Sequence, residues 1–546
     1  MTTKNYDAII IGAGHNGLVC AYYLARKGLS VCVLERSSVV GGAALTEEFH
    51  RDSSGGYRNS VASYTVSLLQ PKVIRDMELA KHGLEVVLRK VDNYLPLGTN
   101  KKDGYLLAGR DGLTQREIAR HSAKDARAYP RYEAALGGIV DLLKQFLLVS
   151  PPNMGGGLAD VLSLLSAGNK MRKLSLATQR DLLDFFTKSA TEILDQYFEN
   201  DAVKALFGFD AIVGHFASPN EPGSAYVLLH HVFGEAAGVP GAWGHAIGGM
   251  GAITQAMQKA CEAQGVEIVT DCPVQKVATQ KGKVTGIATD KQNYKTSLVV
   301  SSVHPKILFK NLVAPEDLPV DFRVRINHYK SHSGTFRMNV ALSELPNFTT
   351  APSYKTEGKK PDNKDYLTSG IIIAPSLEYM DEAWLTAKEK GWSDAPIIEM
   401  LIPSTLDNTL APKGKHVASL FCQQFAYALP GDISWDEQRE QAADHIIDTV
   451  DKYAPGFANT VLGRQVLSPL DIETKFGLIG GDIFHGRMSL DQLFSARPVL
   501  GHGAYRSPIK GLYMCGSGTH PGGGVTGAPG HNAAQVILRD RRFLSL

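Results

Sequence analysis

Tyr6-Asp7-Ala8-Ile9-Ile10-Ile11-Gly12-Ala13-Gly14-His15-Asn16-Gly17 is the stretch that decides the fold of this 546-residue chain. The run Ala8–Ile11 is short, apolar and β-branched, and it ends in glycine, which is typical of a buried parallel strand. From Leu18 to Lys27 the apolar residues recur at helical spacing. A second apolar run, Val31–Leu34, ends at Glu35. This order predicts a complete strand–turn–helix–turn–strand unit.

Each glycine of the first turn has a physical task in a dinucleotide site. Gly12 permits the tight turn, Gly14 lets the backbone approach a pyrophosphate, and Gly17 allows the helix to pack closely on the strand. The N-terminus of the helix offers free N–H groups and a partial positive charge to the phosphates. Glu35 is placed to accept hydrogen bonds from a ribose, and its charge disfavours the 2′-phosphate of NADP. The binding residues expected here are Gly12, Gly14, His15, Asn16, Gly17 and Glu35.

A second glycine-rich segment lies near the other end of the chain. The run 511–515 predicts a short buried strand, and seven of the next fifteen residues are glycine. So many residues without side chains are unlikely to form a packing element, and they favour a backbone pressed against a flat ligand. An apolar helix follows, for which Thr526 is the expected N-cap, and its N-terminus could stabilise negative charge on a reduced flavin ring. The expected contacts are Gly516, Ser517, Gly524, Val525 and Thr526.

These segments resemble two known groups of proteins. Arg36 to Ala44 contains a glycine pair, as in the flavoproteins with two dinucleotide-binding domains, in which a Rossmann unit holds the ADP half of FAD. The run Gly516–Gly524 resembles the C-terminal flavin-binding signature of the phytoene desaturase and carotenoid ketolase family. Within that family the first turn, the run 40–44 and the run 482–494 resemble the pyridine nucleotide-disulfide oxidoreductase domain-containing protein 2 branch. The resemblance spans the whole chain.

The resemblance implies FAD as the cofactor and an apolar tunnel for the substrate. It implies that the backbone around Val274 contacts adenine, and that Gly41, Gly42 and Ala43 turn back over the dinucleotide. Many relatives bind the ribityl chain with an aspartate where this chain has Ser517, so a hydroxyl or backbone contact must replace that carboxylate. Two alternatives stay open for Arg36, namely a contact on the adenine side and a plain surface charge.

The length of the chain favours two or three domains. We expect an α/β fold with α+β insertions, in which a Rossmann-like FAD/NAD(P)-binding domain of the two-dinucleotide-binding-domain type carries a helical and mixed-sheet substrate domain. The discontinuous FAD domain comprises residues 1–85, 241–315 and 456–546. Residues 86–240 are expected to be mainly helical, with an amphipathic stretch at 138–149, and residues 316–455 to form a mixed β-sheet region.

Composition excludes several classes of function. The 57 basic and 55 acidic residues leave a formal charge of +2, which gives no electrostatic case for nucleic acid. The six cysteines are dispersed without a CxxC pair, so neither a zinc site nor a disulfide framework is expected. The first apolar run is too short for a secretory signal, and there is no run of about 18 apolar residues to span a bilayer. An intracellular, cytoplasmic setting is the default, or a mitochondrial one in a eukaryote.

Two histidines are the candidates for acid–base chemistry. His520 lies within the second glycine-rich segment, and His485 precedes a helix expected at Ser489–Phe494. Histidine titrates near neutral pH and could exchange a proton beside a flavin. His15 and His245 are more typical of structural or phosphate-contacting groups. There is no hydrolase triad and no metal-ligand constellation.

Two hypotheses for the function remain. The first is an FAD-dependent oxidoreductase that dehydrogenates or isomerises an apolar, polyene or lipid-like substrate. Without a second strand–GxGxxG–helix unit for NAD(P)H, electrons would pass to oxygen or a quinone. The alternative is a flavin-binding regulatory or lipid-carrier protein with little turnover. Peripheral membrane contact through residues 138–149 or 155–175, and either a monomeric or a homodimeric state, are compatible with both.

Overall fold

The first apolar run lies in the middle of a five-stranded sheet in which all neighbouring strands are parallel. The computed structural model describes residues 4–153, 156–352 and 364–544, so the ends of the expected FAD domain and parts of both insertions lie outside the described residues. All four residues of the central strand are buried, and Ile9 pairs with Cys32 on one side and Val299 on the other. In spatial order the strands are Glu267–Val269, Val31–Leu34, Ala8–Ile11, Val299–Ser301 and Leu512–Met514.

Alternation along the central strand explains why its whole run is apolar. Ala8 and Ile10 pack into one core with the helices His15–Ala25, Gly251–Ala263 and Ala528–Leu544. Ile9 and Ile11 pack into a second core on the opposite face. A parallel sheet is covered on both faces, so its strands carry no polar side. The second core is closed by a four-stranded sheet in the order Lys4–Asn5, Asn293–Lys295, Lys283–Thr289 and Val274–Gln280. The Rossmann-like prediction is confirmed.

A seven-stranded sheet forms the base of the second part of the molecule. Its neighbours are antiparallel except for one parallel pair, in which Gly370 lies opposite Asn93. Two of its strands come from residues 93–108, a region predicted to be mainly helical. The strand Asn93–Pro96 pairs with Gly370–Ile373, more than 250 residues away in sequence, and short apolar runs do not reveal such pairing. The strand order is Val461–Leu467, Phe336–Leu342, His416–Phe425, Trp392–Leu401, Gly370–Ile373, Asn93–Pro96 and Tyr105–Ala108.

Helices cover this sheet and build the region between the two sheets. The amphipathic stretch predicted at 138–149 is the last part of a long helix, Ala123–Leu147. The other helices are Pro71–Asp76, Leu113–His121, Leu158–Arg172, Leu176–Thr187, Ala190–Asp195, Asp201–Gly208, Ser224–Val232, Pro305–Ile307, Val320–Asn327, Leu377–Lys390, Trp435–Tyr453, Phe457–Thr460 and Pro469–Phe476. Two-stranded ribbons pair Thr46–Asp52 with Gly55–Ser60, Val86–Leu88 with Gly244–Ala246, and Glu235–Ala236 with Val239–Pro240.

Two local expectations differ from the structure. The helix expected at Ser489–Phe494 is instead two three-residue 3₁₀ turns, Leu490–Gln492 and Phe494–Ala496, with Leu493 extended between them. Phe494 has a φ of 49°, so the chain reverses there and no regular helix can continue. The last helix begins at Ala528, and Thr526 caps it from two positions earlier, since its hydroxyl accepts the Ala528 N–H at 3.1 Å.

The two ends of the sequence meet in the first core. The helix His15–Ala25 packs along the helix Ala528–Leu544, and Gly530 makes this contact possible. A Cβ at Gly530 would lie 2.2 Å from the carbonyl oxygen of Asn16. The close approach brings the second glycine-rich segment beside the first turn, which prepares a single site from two distant parts of the chain.

Candidate functional site

A cavity of about 300 Å³ opens at the carboxyl ends of the parallel strands. We call it the phosphate cavity. This is the position at which open α/β sheets bind their ligands. Most of the residues expected from the first turn and its partners line it: Gly12, Gly14, His15, Asn16, Glu35, Arg36, Gly42, Ala43, Val274, His485 and Ser517. Gly17, Gly41 and Gly516 support its walls from behind; the first packs on the Gly12 carbonyl and the last on Ser302.

Glu35 is held by the backbone of the turn that it serves. One carboxylate oxygen accepts the Ala13 N–H at 2.7 Å, and the other accepts the Ser37 N–H at 2.9 Å. A carboxylate has about four lone-pair directions, so both oxygens can still accept ribose hydroxyls. Arg36 donates from Nη2 to the carbonyl of Lys475 at 2.7 Å while it lines the cavity. The guanidinium is therefore anchored at the cavity wall.

Asn16 and Ser517 join the two glycine-rich segments directly. The Asn16 side-chain amide donates to the Ser517 hydroxyl at 3.1 Å, across 501 residues of sequence. Ser517 is buried and lines the phosphate cavity. Its hydroxyl thus takes a structural partner at the position where many relatives have aspartate. The carbonyl of Ser517 is also engaged, because it accepts from Arg497 at 2.9 Å.

A second cavity of about 140 Å³ adjoins the first, and we call it the inner cavity. The two share the wall residues His15, Ala43, Leu478, His485 and Ser517. Gly524 and Val525 line the inner cavity, as the flat-ligand interpretation of their segment requires. Three buried side-chain atoms around this junction have no hydrogen-bond partner: His15 Nε2, Asn16 Oδ1 and His485 Nδ1. Buried polar atoms are normally paired, so these atoms fit a ligand rich in donors and acceptors.

Three contributors to the site escaped the sequence interpretation. Ser302 directly follows the strand Val299–Ser301, and its hydroxyl donates to the carbonyls of Ile11 and Gly12 at 2.9 and 3.0 Å. The sequence feature that could have identified Ser302 is its position directly after a buried strand. His304 lines the phosphate cavity, and its Nε2 lies 3.0 Å from the Ser331 hydroxyl. Arg497 is fully buried, and no sequence pattern marked it.

The two candidate acid–base histidines lie at different depths. Burial lowers the pKa of His485 to about 3, helped by Arg497 and His15, and His485 faces both adjoining cavities. Burial lowers the pKa of His520 to about 4, and its Nε2 lies 2.9 Å from the carbonyl of Phe146. His520 faces away from the phosphate cavity. Both imidazoles are therefore neutral at neutral pH, and hydrogen bonding is their ordinary role.

Two further spaces are linked to the inner cavity through shared wall residues. A space of about 20 Å³, which we call the waist, shares Leu68 with the inner cavity and contains Thr526. Leu143, Phe494 and His520 line both the waist and an outer cavity of about 510 Å³. The walls of the outer cavity come from Ala123–Leu147, Leu158–Arg172 and Leu176–Thr187, and they are mostly apolar. Each of the four spaces thus shares at least one wall residue with the next.

These features define an FAD-dependent oxidoreductase: the parallel sheet, the first glycine-rich turn, the second glycine-rich segment beside it, and the adjoining cavities. Residues 17–335 match the family model of the flavin containing amine oxidoreductases, and the chain belongs to that family. It is 42% identical to the pyridine nucleotide-disulfide oxidoreductase domain-containing protein 2 of Rattus norvegicus, over 98% of this chain and 94% of the relative. The resemblance drawn from the motifs is confirmed.

More distant relatives agree with this assignment. A lycopene-forming phytoene desaturase of Pseudescherichia vulneris is 23% identical over 97% of this chain and 99% of its own length. The crystal structure of an oxidoreductase from Methanosarcina mazei has the same fold, with a TM-score of 0.58 at 16% identity over 97% of this chain and 99% of that one. The cofactor is FAD, and the residues of the site fit it. The first turn can hold its pyrophosphate, Glu35 its ribose, and the segment 516–527 its flavin ring.

Substitutions at two glycines of the first turn distinguish an effect on FAD binding from an effect on folding. At Gly14 an added Cβ has no protein atom within 4 Å, and the backbone φ of −68° suits any residue. We expect Gly14→Ala to bind FAD at least about tenfold more weakly, a loss of about 1.4 kcal/mol, with the stability of the apoprotein unchanged. At Gly17 the Cβ would lie 2.1 Å from the Gly12 carbonyl, so Gly17→Ala should destabilise the apoprotein by about 1–3 kcal/mol. Flavin titration and thermal unfolding of both variants check this. Full FAD affinity in Gly14→Ala would contradict the cavity assignment.

Buried neutral histidines make stability depend on pH. In the unfolded chain histidine titrates near pH 6.5, whereas the folded pKa values lie near 3 or 4 because of burial. Below pH 6.5 only the unfolded chain takes up these protons, so each histidine removes about 1.4 kcal/mol of stability per pH unit down to its folded pKa. Above pH 6.5 this contribution is constant. The histidines concerned are His15, His215, His230, His231, His485 and His520.

The variant His485→Asn isolates one such contribution. Asparagine tolerates the left-handed backbone at this position, where φ is 58°. The unfolding free energy of the variant should fall with pH between 6.5 and 5 less steeply than that of the wild type, by about 1.4 kcal/mol per unit. Denaturant melts at pH 7.5, 6.5, 5.7 and 5.0 measure this difference. Parallel curves for the two proteins would show that His485 is not a buried neutral group.

Proposed function

We propose that this protein uses FAD to dehydrogenate, or to isomerise, an apolar substrate bound in the inner cavity, with electrons passed on to oxygen or a quinone. The observation that carries the proposal is the series of adjoining cavities. We propose that the outer cavity, the waist and the inner cavity, which share wall residues, together form a mostly apolar channel towards the flavin half of the cofactor. Redox chemistry at a flavin needs near-contact with the substrate, so the substrate must reach this inner end.

The channel selects its ligand by desolvation. The inner cavity has apolar walls that include Leu68, Phe209, Trp243 and Phe484, and the waist adds Tyr226 and Phe233. Burial of apolar surface contributes about 25 cal/mol per Å² to the free energy of binding. A polar chain in the waist would lose its hydration without gaining hydrogen-bond partners. These walls support a polyene, terpenoid or acyl chain as the group that passes through.

The chain's own residues bind and shield the reacting bond. FAD, when bound, supplies a two-electron acceptor. A dehydrogenation removes a hydride and a proton from two adjacent carbons, and the neutral His485 imidazole, with its unpartnered Nδ1, is the group we propose to meet the proton at the inner cavity. We propose that His520 lines the path of the substrate, because it faces the waist and the outer cavity.

The mouth of the channel supports a peripheral contact with a lipid bilayer. Apolar side chains around the outer cavity are exposed, among them Leu162 at 57%, Leu165 at 65% and Leu183 at 62%. Large exposed apolar patches on an otherwise polar surface mark sites of interaction. The segment also carries Lys170, Arg172 and Lys173, which favour anionic lipids. Among the described residues, no helix has the length and hydropathy to cross a bilayer.

Anaerobic reduction of the bound flavin tests the proposed reaction. Polyenes, terpenoids and fatty acids are mixed with the FAD-loaded chain, and the bleaching of the flavin absorbance is followed. Leu143→Trp fills the waist and should slow reduction by a long substrate at least about tenfold, about 1.4 kcal/mol in barrier, while reduction by dithionite is unchanged. Leu183→Trp, on the open rim of the outer cavity, is the matched control. Flavin that dithionite bleaches but no apolar substrate does would favour the carrier function instead.

Vesicle sedimentation tests the lipid contact. Burial of a leucine side chain contributes about 1.5–3 kcal/mol, so Leu162→Ser combined with Leu165→Ser should weaken binding to anionic phospholipid vesicles at least about tenfold. Val320→Ser combined with Leu385→Ser alters two equally exposed apolar residues on other helices and should leave binding unchanged. Equal sedimentation of both double variants would contradict a docking surface at the channel mouth.

A further inference from the structure

The inner cavity ends in a polar cluster on the seven-stranded sheet. Opposite the flavin-side residues, its wall is formed by Arg89, Asn93, Glu399 and Phe421. The first three converge on the backbone of Gly370. A Cβ at Gly370 would lie 2.5 Å from Glu399 Oε1, 3.0 Å from Asn93 Oδ1 and 3.2 Å from Arg89 Nη1. An otherwise apolar channel therefore terminates at groups that can bind a polar or charged end.

Arg89 is a buried cation without an ion pair. Its side chain donates to the Thr65 hydroxyl at 2.6 Å and reaches the Asp92 carbonyl at 3.4 Å, and the residue is only 3% exposed. In the described part of the chain, no carboxylate oxygen lies within 4 Å of its guanidinium nitrogens. Burial lowers the pKa of Arg89, and the charge of Glu399 offsets this only in part, so the desolvation cost of the guanidinium is not fully compensated. An anion in the inner cavity, which Arg89 lines, would reduce that cost.

A second buried arginine adds to the positive charge. Arg337 is 1% exposed and lies over the ring of Tyr64, with Cζ 4.6 Å from the ring centroid. One nitrogen donates to the Ser419 hydroxyl at 2.7 Å, whereas Nε and Nη1 have no partner. Tyr64 itself lines the inner cavity and stacks on Phe421 at 5.2 Å. The aromatic pair thus separates this second cation from the cavity without neutralising it.

The nearby acids do not balance these two cations. Glu399 accepts the hydroxyl of Tyr64. Burial, followed by the charge of Glu399, raises the pKa of Asp210 to about 7, so Asp210 is largely protonated below neutral pH. Burial also raises the pKa of Asp92, which lies near Arg89 and Arg110. Of the three carboxyl groups near Arg89 and Arg337, two, Asp92 and Asp210, therefore have ionised forms that burial disfavours. An ammonium group at this end would add to the excess, whereas an anion would reduce it.

We propose that the polar end of the inner cavity is a carboxylate subsite, so that the substrate is an apolar molecule with a carboxylate at its leading end. Arg89 donates to both carboxylate oxygens in the forked geometry that guanidinium groups favour. Asn93 adds an amide donor, and Phe209, Trp243 and Phe421 enclose the adjoining carbon chain. The inference deepens the proposed function by naming the class of substrate, but the binding step itself needs no turnover.

Ligands that differ only in their head group test the subsite. Octanoate, octanamide and octylamine are titrated into the FAD-loaded chain, with calorimetry and the flavin absorbance as readouts. We expect octanoate to bind at least about tenfold more tightly than octanamide, as a charge-assisted hydrogen-bonded pair requires. Arg89→Gln should abolish this preference, and Arg89→Lys should keep part of it. Lys90→Gln removes an adjacent positive charge on the surface, where Lys90 pairs with Asp365, and should retain the preference.

Several results would overturn the proposal. Octylamine or octanamide binding as tightly as octanoate would show that the cavity does not select an anion. Equal weakening of octanoate and octanamide in Arg89→Gln would assign Arg89 a structural role only. Should Arg89→Gln fail to fold, Asn93→Ala must still lower the affinity for octanoate more than that for octanamide. Selective octanoate binding without flavin reduction by any acid would contradict the proposed reaction and leave the subsite standing.

Discussion

The buried guanidinium of Arg497 is the interaction on which the site depends. Its nitrogens donate to the backbone carbonyls of Phe484, Gly486, Gln492 and Ser517, at distances between 2.7 and 3.3 Å. These carbonyls belong to the loop that separates the cavities and to the segment that cradles the flavin. Because a fully buried cation is costly to leave without acceptors, the two segments must keep their mutual positions. The charge also helps to lower the pKa values of His485 and His520.

Desolvation governs the chemistry of the site. It keeps His485 and His520 neutral, and it lowers the pKa of Arg89 at the inner end of the cavity. The family is named flavin containing amine oxidoreductase. The flavin in that name agrees with the cofactor of this chain, whereas the amine does not suit the buried arginines near the inner cavity. The buried Arg89 and Arg337 near the inner cavity are the reason for proposing an acidic ligand rather than an amine.

The two-part architecture explains how one fold can host such different substrates. The parallel sheet and its turn hold the nucleotide, and they use main-chain groups that any sequence with the right glycines can supply. The seven-stranded sheet and the elements around it supply side chains such as Asn93, Phe209 and Phe421 to the inner cavity, where we propose that the substrate binds. Substitutions in the second part can change the substrate without disturbing the first part. Different parts of the sequence therefore determine which cofactor and which substrate are bound.

The sequence by itself determined the Rossmann unit, the second glycine-rich segment and the identity of the cofactor. Gly12, Gly14 and Gly17 act through local backbone geometry, which spacing along the chain reveals. Tertiary structure alone decided the rest. Asn16 meets Ser517 across 501 residues, strands near residue 93 pair with strands near residue 370, and Arg89, Arg337 and Arg497 are buried. No local pattern distinguishes a buried arginine from a surface one, because its environment comes from residues that only folding brings together.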